Sequence, residues 1–333
     1  MKPKVFVTRK ISQRGLSRIE EVFDAEVWQE YAPPPRTVLM EKVKKVEALV
    51  TMLADRIDKE IFDVAPKLKA IAQIAVGYDN IDLVEATKHG VYVTNTPDVL
   101  TETTADFAWA LLMAVARRVV EADSYVREGK WKVAWHPDML TGRDIYGATI
   151  GIVGAGRIGQ AVARRAKGFN MKILYYARSP KPIIEKEIGA ERVDLDSLLR
   201  QSDFVSIHVP LTKETTKMIN AERIALMKNT AYLINNSRGA VVDEKALTEA
   251  LKTERIAGAA LDVFEQEPTP SSNPLLKLKN IVVSPHISSG SIETRAQMSE
   301  MVAENLIAVF MGLKPPNLIN AEVLNVNPLT KII

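Results

Sequence analysis

A glycine-rich turn wedged between an apolar strand and an amphipathic helix restricts a chain's fold more than any other short feature, and this sequence has one. Ala148-Thr149-Ile150-Gly151-Ile152-Val153 reads as a buried strand and residues 160–167 as a helical run, with Gly154-Ala155-Gly156-Arg157-Ile158-Gly159 between them. In that setting the spacing fits a dinucleotide-binding turn. Gly154 permits the tight turn, Gly156 lets the backbone approach a pyrophosphate, and Gly159 lets helix and strand pack closely. The helix N-terminus then offers unpaired N–H groups and a partial positive charge to phosphates.

Strand and helix patterns alternate along the whole chain, which argues for parallel sheets covered by helices. Residues 5–8, 47–52, 69–74 and 91–94 read as short buried strands, with amphipathic helices at 16–23 and 39–46. A second series follows at 148–153, 172–176, 203–209, 231–235, 258–263 and 281–284, and only this one carries the glycine loop. Between the two series lies a long helical pattern over 101–129, opened by Thr101 as a cap; a last helix spans 291–312 and ends at Gly312, ahead of Pro315-Pro316. The pattern predicts an α/β protein of two doubly wound parallel-sheet domains, Rossmann-like and flavodoxin-like, separated by a cleft. Residues 100–286 form the dinucleotide-binding domain, and 1–99 with 287–333 the substrate-binding, catalytic domain.

Length and composition bound the alternatives. At 333 residues, 47% apolar and 26% charged, the chain can bury two ordinary globular cores. A net charge of +3 argues against a nucleic-acid surface. With no cysteine, thiolate catalysis and Cys-ligated metals are excluded, and no metal-ligand cluster is expected. The N-terminus lacks an apolar h-region, and the apolar stretch 111–116, bounded by Asp106 and Arg117-Arg118, is too short to span a bilayer. A cytoplasmic protein without membrane contact is expected.

The end of the second strand of the glycine-loop series bears on the cofactor. NAD enzymes usually place an acid there to hold the adenosine ribose hydroxyls. This chain reads Tyr175-Tyr176-Ala177-Arg178-Ser179-Pro180-Lys181, with no acid. Arg178 can bind a 2′-phosphate and Ser179 can add a donor, so NADP(H) is the preferred cofactor, with NAD(H) also possible.

Three charged residues follow strands of the same series. Arg238 follows 231–235, Glu267 follows 258–263 and His286 follows 281–284. Ligands bind at such carboxyl ends in open α/β sheets. A Glu267 beside His286 favours the imidazolium, raising its pKa toward or above neutrality. Such a histidine can protonate an oxygen that turns negative as hydride reaches carbon. Arg238 can clamp a carboxylate with its planar fork. The other histidines read differently: His89 caps a helix end, His136 lies in a loop, and His208 packs near the cofactor.

Several motifs together carry a family resemblance over nearly the whole length. They are Val76-Gly77-Tyr78-Asp79-Asn80-Ile81-Asp82, Thr103-Thr104-Ala105-Asp106, the run from Gly151 to Gly159, Asn236-Ser237-Arg238-Gly239, Asp262-Val263-Phe264-Glu265-Gln266-Glu267-Pro268, and Ser284-Pro285-His286-Ile287. With them the chain resembles the D-isomer-specific 2-hydroxyacid dehydrogenases, and within these it is most similar to archaeal glyoxylate/hydroxypyruvate reductases. The resemblance implies NAD(P)H-dependent reduction of a small 2-oxo acid to its hydroxy acid. By it, Arg238 binds the substrate carboxylate, His286 is the acid/base, and Glu267 orients and charges it. Leu53, Val76 and Gly77 would line the substrate pocket. Outside the glycine loop, Thr104, Val209, Pro210, Asn236, Ser237, Arg238, Asp262, His286 and Ser288 would contact the cofactor. A homodimer is implied, with 101–129 and the loop around Trp135 at its interface. No metal is needed.

Two positions depart from the pattern. Ser288 and Ser289 stand where close relatives usually carry Gly-Ser, and Met139 stands where several carry an aromatic residue. Other activities of the family remain as alternatives. A 3-phosphoglycerate enzyme often adds a C-terminal regulatory domain, a phosphite enzyme has lysine at the place of Val76, and a formate enzyme has glutamine at the place of Glu267. A non-enzymatic, NAD(H)-sensing corepressor of the same fold is the alternative from another class, and partner-binding extensions would mark it.

Overall fold

Every residue of Ala48–Thr51 and of Ala70–Gln73 is buried, as strands covered on both faces by crossover helices require. In the computed structural model, which describes residues 2–333, the chain divides into two compact units, Met1–Leu100 with Gly290–Ile333, and Thr101–Ser289. The first unit holds β1 (Lys4–Val7), β2 (Asp24–Val27), β3 (Ala48–Thr51), β4 (Ala70–Gln73) and β5 (Tyr92–Thr94). They form a five-stranded parallel sheet in the order β2-β1-β3-β4-β5. The second holds β6 (Thr149–Val153), β7 (Lys172–Tyr176), β8 (Glu191–Arg192), β9 (Phe204–Ile207), β10 (Tyr232–Asn235), β11 (Gly258–Leu261) and β12 (Ile281–Val283). These make a seven-stranded sheet in the order β12-β11-β10-β9-β6-β7-β8, again parallel throughout.

Two strands escape the sequence pattern, and both are sheet edges. Asp24–Val27 alternates exposed and half-buried residues, and Glu191–Arg192 is exposed throughout. An edge strand covered on one side lacks the continuous apolar run that reveals a central one. The helix expected over 101–129 is also two helices, Thr101–Ala116 and Val119–Arg127. The Ala116 carbonyl accepts the Arg143 N–H at 2.8 Å, and Arg118 turns left-handed at φ 54°. A loop remote in sequence thus takes the carbonyl that would have continued the helix. Thr101 is the first helical residue, not the cap before it.

Alternate residues of the larger sheet feed two cores. Ile150, Ile152, Tyr175, Phe204 and Ile234 pack with the helices Thr101–Ala116 and Arg157–Ala166. Val153, Leu174, Val205, Ile207 and Leu233 pack with Leu195–Gln201 and Glu244–Lys252. In strands such alternation means opposite faces, so the sheet is covered on both sides. Strand order reverses between β6 and β9, which places the switch point beside the glycine loop after β6. No helix among the described residues is long and apolar enough to cross a membrane.

Candidate active site

The loop after β6 is shaped by close backbone approach. The Val153 carbonyl accepts the His208 N–H at 2.7 Å, and Gly154, at φ +99°, donates to the Tyr176 carbonyl at 2.9 Å. A Cβ on Gly154 would lie 2.8 Å from the His208 backbone, and one on Gly159 would lie 2.1 Å from the Gly154 carbonyl oxygen. Both positions therefore need glycine. At Gly156 a Cβ would meet nothing within 4 Å. This residue precedes the helix Arg157–Ala166, which has neither a side-chain cap nor an acid in its first turn. Its leading N–H groups and positive dipole end adjoin open space beside Gly156, the arrangement that suits a pyrophosphate. At the end of β10, Asn236 donates to the Thr104 carbonyl at 3.0 Å, while its own buried Oδ1 has no partner among the described residues. An orphaned acceptor there fits a ligand that brings a donor. The residues present therefore fit a dinucleotide.

The turn after β7 is braced from two sides. The Tyr175 hydroxyl, on a fully buried ring, accepts the Lys181 N–H at 2.8 Å and donates to Glu185. The Arg192 guanidinium of β8 donates to the carbonyls of Ala177, at 3.0 Å, and Arg178, at 3.1 Å. Arg178 and Ser179 are exposed on this turn. Neither brace was visible in the sequence, because an exposed arginine on a two-residue strand carries no pattern.

Three neighbouring strands, β10, β11 and β12, deliver Arg238, Glu267 and His286. After β10, Asn235 sets the turn: its Oδ1 accepts the Ser237 N–H and hydroxyl at 3.1 and 3.0 Å, and its amide donates to the Arg238 carbonyl at 2.9 Å. Arg238 itself donates from Nη1 to the Ser237 carbonyl at 2.8 Å. Gly239 then runs against the loop after β11, where a Cβ would fall 1.9 Å from the Phe264 carbonyl carbon. Glu267 is gripped at both oxygens: Oε1 accepts the Phe264 N–H at 3.0 Å, and Oε2 lies 2.6 Å from His286 Nδ1. Burial pushes the Glu267 carboxyl up. The His286 hydrogen bond and charge, the Phe264 N–H and the Arg238 charge outweigh it and hold the group below the usual carboxylate range. With Nδ1 on the carboxylate, Nε2 is the nitrogen turned away from it.

Asp262, fully buried, accepts the Ser284 hydroxyl at 2.6 Å and the Ile287 N–H at 2.9 Å on Oδ1. Its Oδ2 accepts the Ser288 N–H at 2.8 Å and the Ser288 hydroxyl at 2.5 Å. The sequence places Ser284 in the motif that leads to His286 but assigns it no contact, because a serine just past a strand does not by itself reveal its partner.

The remaining residues fall as follows. Thr104 is buried on the helix Thr101–Ala116, and Val209 and Pro210 follow β9. Leu53 follows β3, and Val76 and Gly77 follow β4, all three in the first unit, whereas Arg238, Glu267 and His286 belong to the second. There an amide chain shapes the turns: Thr51 donates to Gln73 at 2.6 Å, Gln73 to Asn80 at 2.8 Å, and Asn80 to the carbonyls of Met52 and Asp55. His89 caps the helix Leu83–Lys88, its Nδ1 2.9 Å from the Glu85 carbonyl. His136 lies in an exposed loop. His208 is half-buried beside Ser206, and desolvation lowers it to about 3. No group of His, Cys, Asp or Glu among the described residues could hold a metal ion.

Residues 109–288 match the model of the D-isomer specific 2-hydroxyacid dehydrogenase, NAD binding domain. The chain belongs to this family. It is accordingly an NAD(P)-dependent oxidoreductase. The family member is 65% identical over 328 residues to the glyoxylate reductase of Korarchaeum cryptofilum (strain OPF8), covering 98% of this chain and 99% of that one. It is 60% identical to the glyoxylate reductase of Thermococcus litoralis, covering 98% and 100%. Among solved structures, the TT0316 protein from Thermus thermophilus is 47% identical with a TM-score of 0.90, covering 95% of this chain and 99% of that one. The NADPH-dependent glyoxylate/hydroxypyruvate reductase from Sinorhizobium meliloti, in complex with NADP and malonate, is 34% identical with a TM-score of 0.86, covering 97% and 98%.

Proposed function

We propose that this dehydrogenase reduces glyoxylate, and hydroxypyruvate as a related small 2-oxo acid, to the hydroxy acid. The observation that carries the reading is the hydrogen bond between His286 and Glu267 with Arg238 on the adjoining strand end. The bound reduced nicotinamide supplies hydride to the carbonyl carbon. Arg238 holds the substrate carboxylate through charge-assisted hydrogen bonds and draws charge toward the neighbouring oxygen. A protonated His286, anchored at Nδ1 by Glu267, gives the Nε2 proton to that oxygen, which completes the alcohol. Similarity to relatives named glyoxylate reductase supports the choice of substrate.

NADP(H) is the preferred cofactor in this reading. Gly156 and the helix behind it hold the pyrophosphate, and Arg178 with Ser179 receives the 2′-phosphate on the turn braced by Tyr175 and Arg192. A homodimer is supported by the second unit's surface. The helix Val119–Arg127 buries none of its residues, and Val119, Val120, Val126, Trp131, Val133 and Trp135 all stay more than half exposed.

A panel of small 2-oxo acids, run with NADPH and with NADH, tests the activity. Oxidation of NADPH by glyoxylate is expected, and His286→Ala should abolish it while cofactor binding persists. Absence of turnover with every 2-oxo acid would sink the reading. Light scattering should show a dimer that Val120→Asp with Val126→Asp converts to a monomer.

A further inference from the structure

We infer that Asn95 is a positioning residue for the turn after β4, where it sets the direction of the Val76 and Gly77 N–H groups; the inference rests on the reading that this turn lines the substrate pocket. Three successive carbonyls of the turn are held by donors. The Ala75 carbonyl accepts the Thr96 N–H at 2.9 Å, and the Val76 carbonyl accepts the Asn95 side-chain amide at 2.8 Å. The Gly77 carbonyl takes a longer contact, 3.4 Å, from the Gln73 amide. These peptides are trans, and a planar trans peptide points each N–H opposite to the carbonyl of the residue before it. Thr96 and Asn95 both belong to the segment that follows β5, so fixing the Ala75 and Val76 carbonyls turns the Val76 and Gly77 N–H groups away from it. Consecutive N–H groups aimed the same way form a concavity that suits an anion such as a substrate carboxylate.

Asn95 is itself anchored from behind. Its N–H donates to the Asn317 carbonyl at 3.3 Å, and its carbonyl accepts the side-chain amide of Asn305 at 3.1 Å. Asn305 is fully buried on the helix Ile292–Phe310, and its Oδ1 accepts the main-chain and side-chain N–H groups of Asn317 at 3.2 and 3.3 Å. A chain of carboxamides thus runs from the last helix through Asn95 to the Val76 carbonyl. Buried polar networks with their partners in place hold one geometry. On the other flank Gln73 is fully buried and fixed by the Thr51 hydroxyl at 2.6 Å. Rotating the Val76–Gly77 peptide would strand the Asn95 donor and present an oxygen where the Gly77 N–H had been. Asn95 therefore acts through that peptide.

The test compares Asn95→Ala and Asn95→Leu with the unaltered protein by KM for glyoxylate, Ki of oxalate, KM for NADPH and kcat. Oxalate has the carboxylate without a reducible aldehyde, so it reports binding alone. Asn95→Ala frees the Val76–Gly77 peptide to rotate, and the lost alignment should raise KM for glyoxylate and Ki of oxalate together, about tenfold. A carboxylate held alike in ground and transition states affects KM and not kcat, so kcat and KM for NADPH should stay within about twofold. Asn95→Leu fills nearly the same space without a donor and should do the same; it decides alone if Asn95→Ala does not fold. Unchanged KM and Ki in either folded variant would overturn the inference. Equal rises in KM for glyoxylate and NADPH, or a fall in kcat at constant KM, would overturn it too and leave Asn95 a purely structural role. Val76→Asp tests the underlying reading separately, since a carboxylate on the turn should raise KM for glyoxylate far more than that for NADPH. No change there would sink the reading that this turn meets the substrate. A rise there without one in the Asn95 variants would sink only the present inference.

Discussion

His286 Nδ1 and Glu267 Oε2 lie 2.6 Å apart, although the two residues are separated by 19 positions in the chain. Adjacent parallel strands make this possible. β11 and β12 end side by side, the loop after β11 turns back so that its own Phe264 N–H holds the other Glu267 oxygen, and the loop after β12 turns sharply at His286. Because Glu267 stays ionised below the usual carboxylate range, the pair persists through the neutral region and is lost only as pH falls through that lowered value.

Replacing Glu267 by glutamine keeps the shape and removes the charge. The ring then loses its charged partner at Nδ1, and exchanging a charge-assisted hydrogen bond for a neutral one should lower kcat about tenfold while cofactor affinity is kept. Steady-state kinetics and cofactor titration of the two proteins check this. An unchanged kcat would refute the charge pairing as the reason for Glu267.

His208 makes a separate, acid-sensitive contribution to stability. Its folded value of about 3 lies below the ordinary histidine value of 6.5, so between these the unfolded chain binds the extra proton. Stability should therefore be full above about pH 6.5 and decline as pH falls, with a limiting slope on the order of 1.4 kcal/mol per pH unit. Thermal unfolding of the protein and of His208→Gln, followed from about pH 7 to about pH 4, should show a shallower acid decline in the variant. Parallel curves would mean the ring is not held neutral by burial.

Two glycines should behave oppositely. At Gly239 a methyl would fall within 2.0 Å of the Phe264 carbonyl group, so Gly239→Ala should destabilise the protein by roughly 1–3 kcal/mol and reduce turnover by parting the loops of Arg238 and Glu267. At Gly156 it meets nothing within 4 Å, so Gly156→Ala should change stability by less than about 1 kcal/mol yet weaken dinucleotide binding. Denaturant unfolding and cofactor titration of both variants decide it. Intact cofactor affinity in Gly156→Ala would mean that the open space is not the pyrophosphate site.

Arg178→Ala should raise the KM for NADPH about tenfold or more and leave that for NADH nearly unchanged, since only the former has a phosphate to lose contact with. Steady-state kinetics with each cofactor is the measurement. An equal change for both would assign Arg178 to the adenosine in general.

The central strands were legible because burial on both faces leaves continuous apolar runs such as Ala48–Thr51 and Phe204–Ile207. The edges Asp24–Val27 and Glu191–Arg192 were not, since their residues face water. The break at Arg117-Arg118 was hidden for another reason: the Arg143 N–H that captures the Ala116 carbonyl comes from a different part of the chain. At the candidate site, residue types and their places after strands could be read directly. The supports could not, because Ser284, Asn235 and Arg192 are ordinary polar residues until the fold gives them partners.

By itself the sequence determined the local matters: which runs are apolar enough to be buried, where glycine permits a turn, and that no acid follows the strand after the glycine loop. These depend on neighbours within a few positions, so they survive without a fold. Tertiary structure alone decided that Arg238, Glu267 and His286 share one end of a sheet and that Asp262 is enclosed by the segment around His286. Such contacts join groups far apart in the chain, as in the bonds from Ser284 and Ser288 to Asp262, across 22 and 26 positions. Strand order and register set those distances, and neither is encoded in any one stretch of the chain.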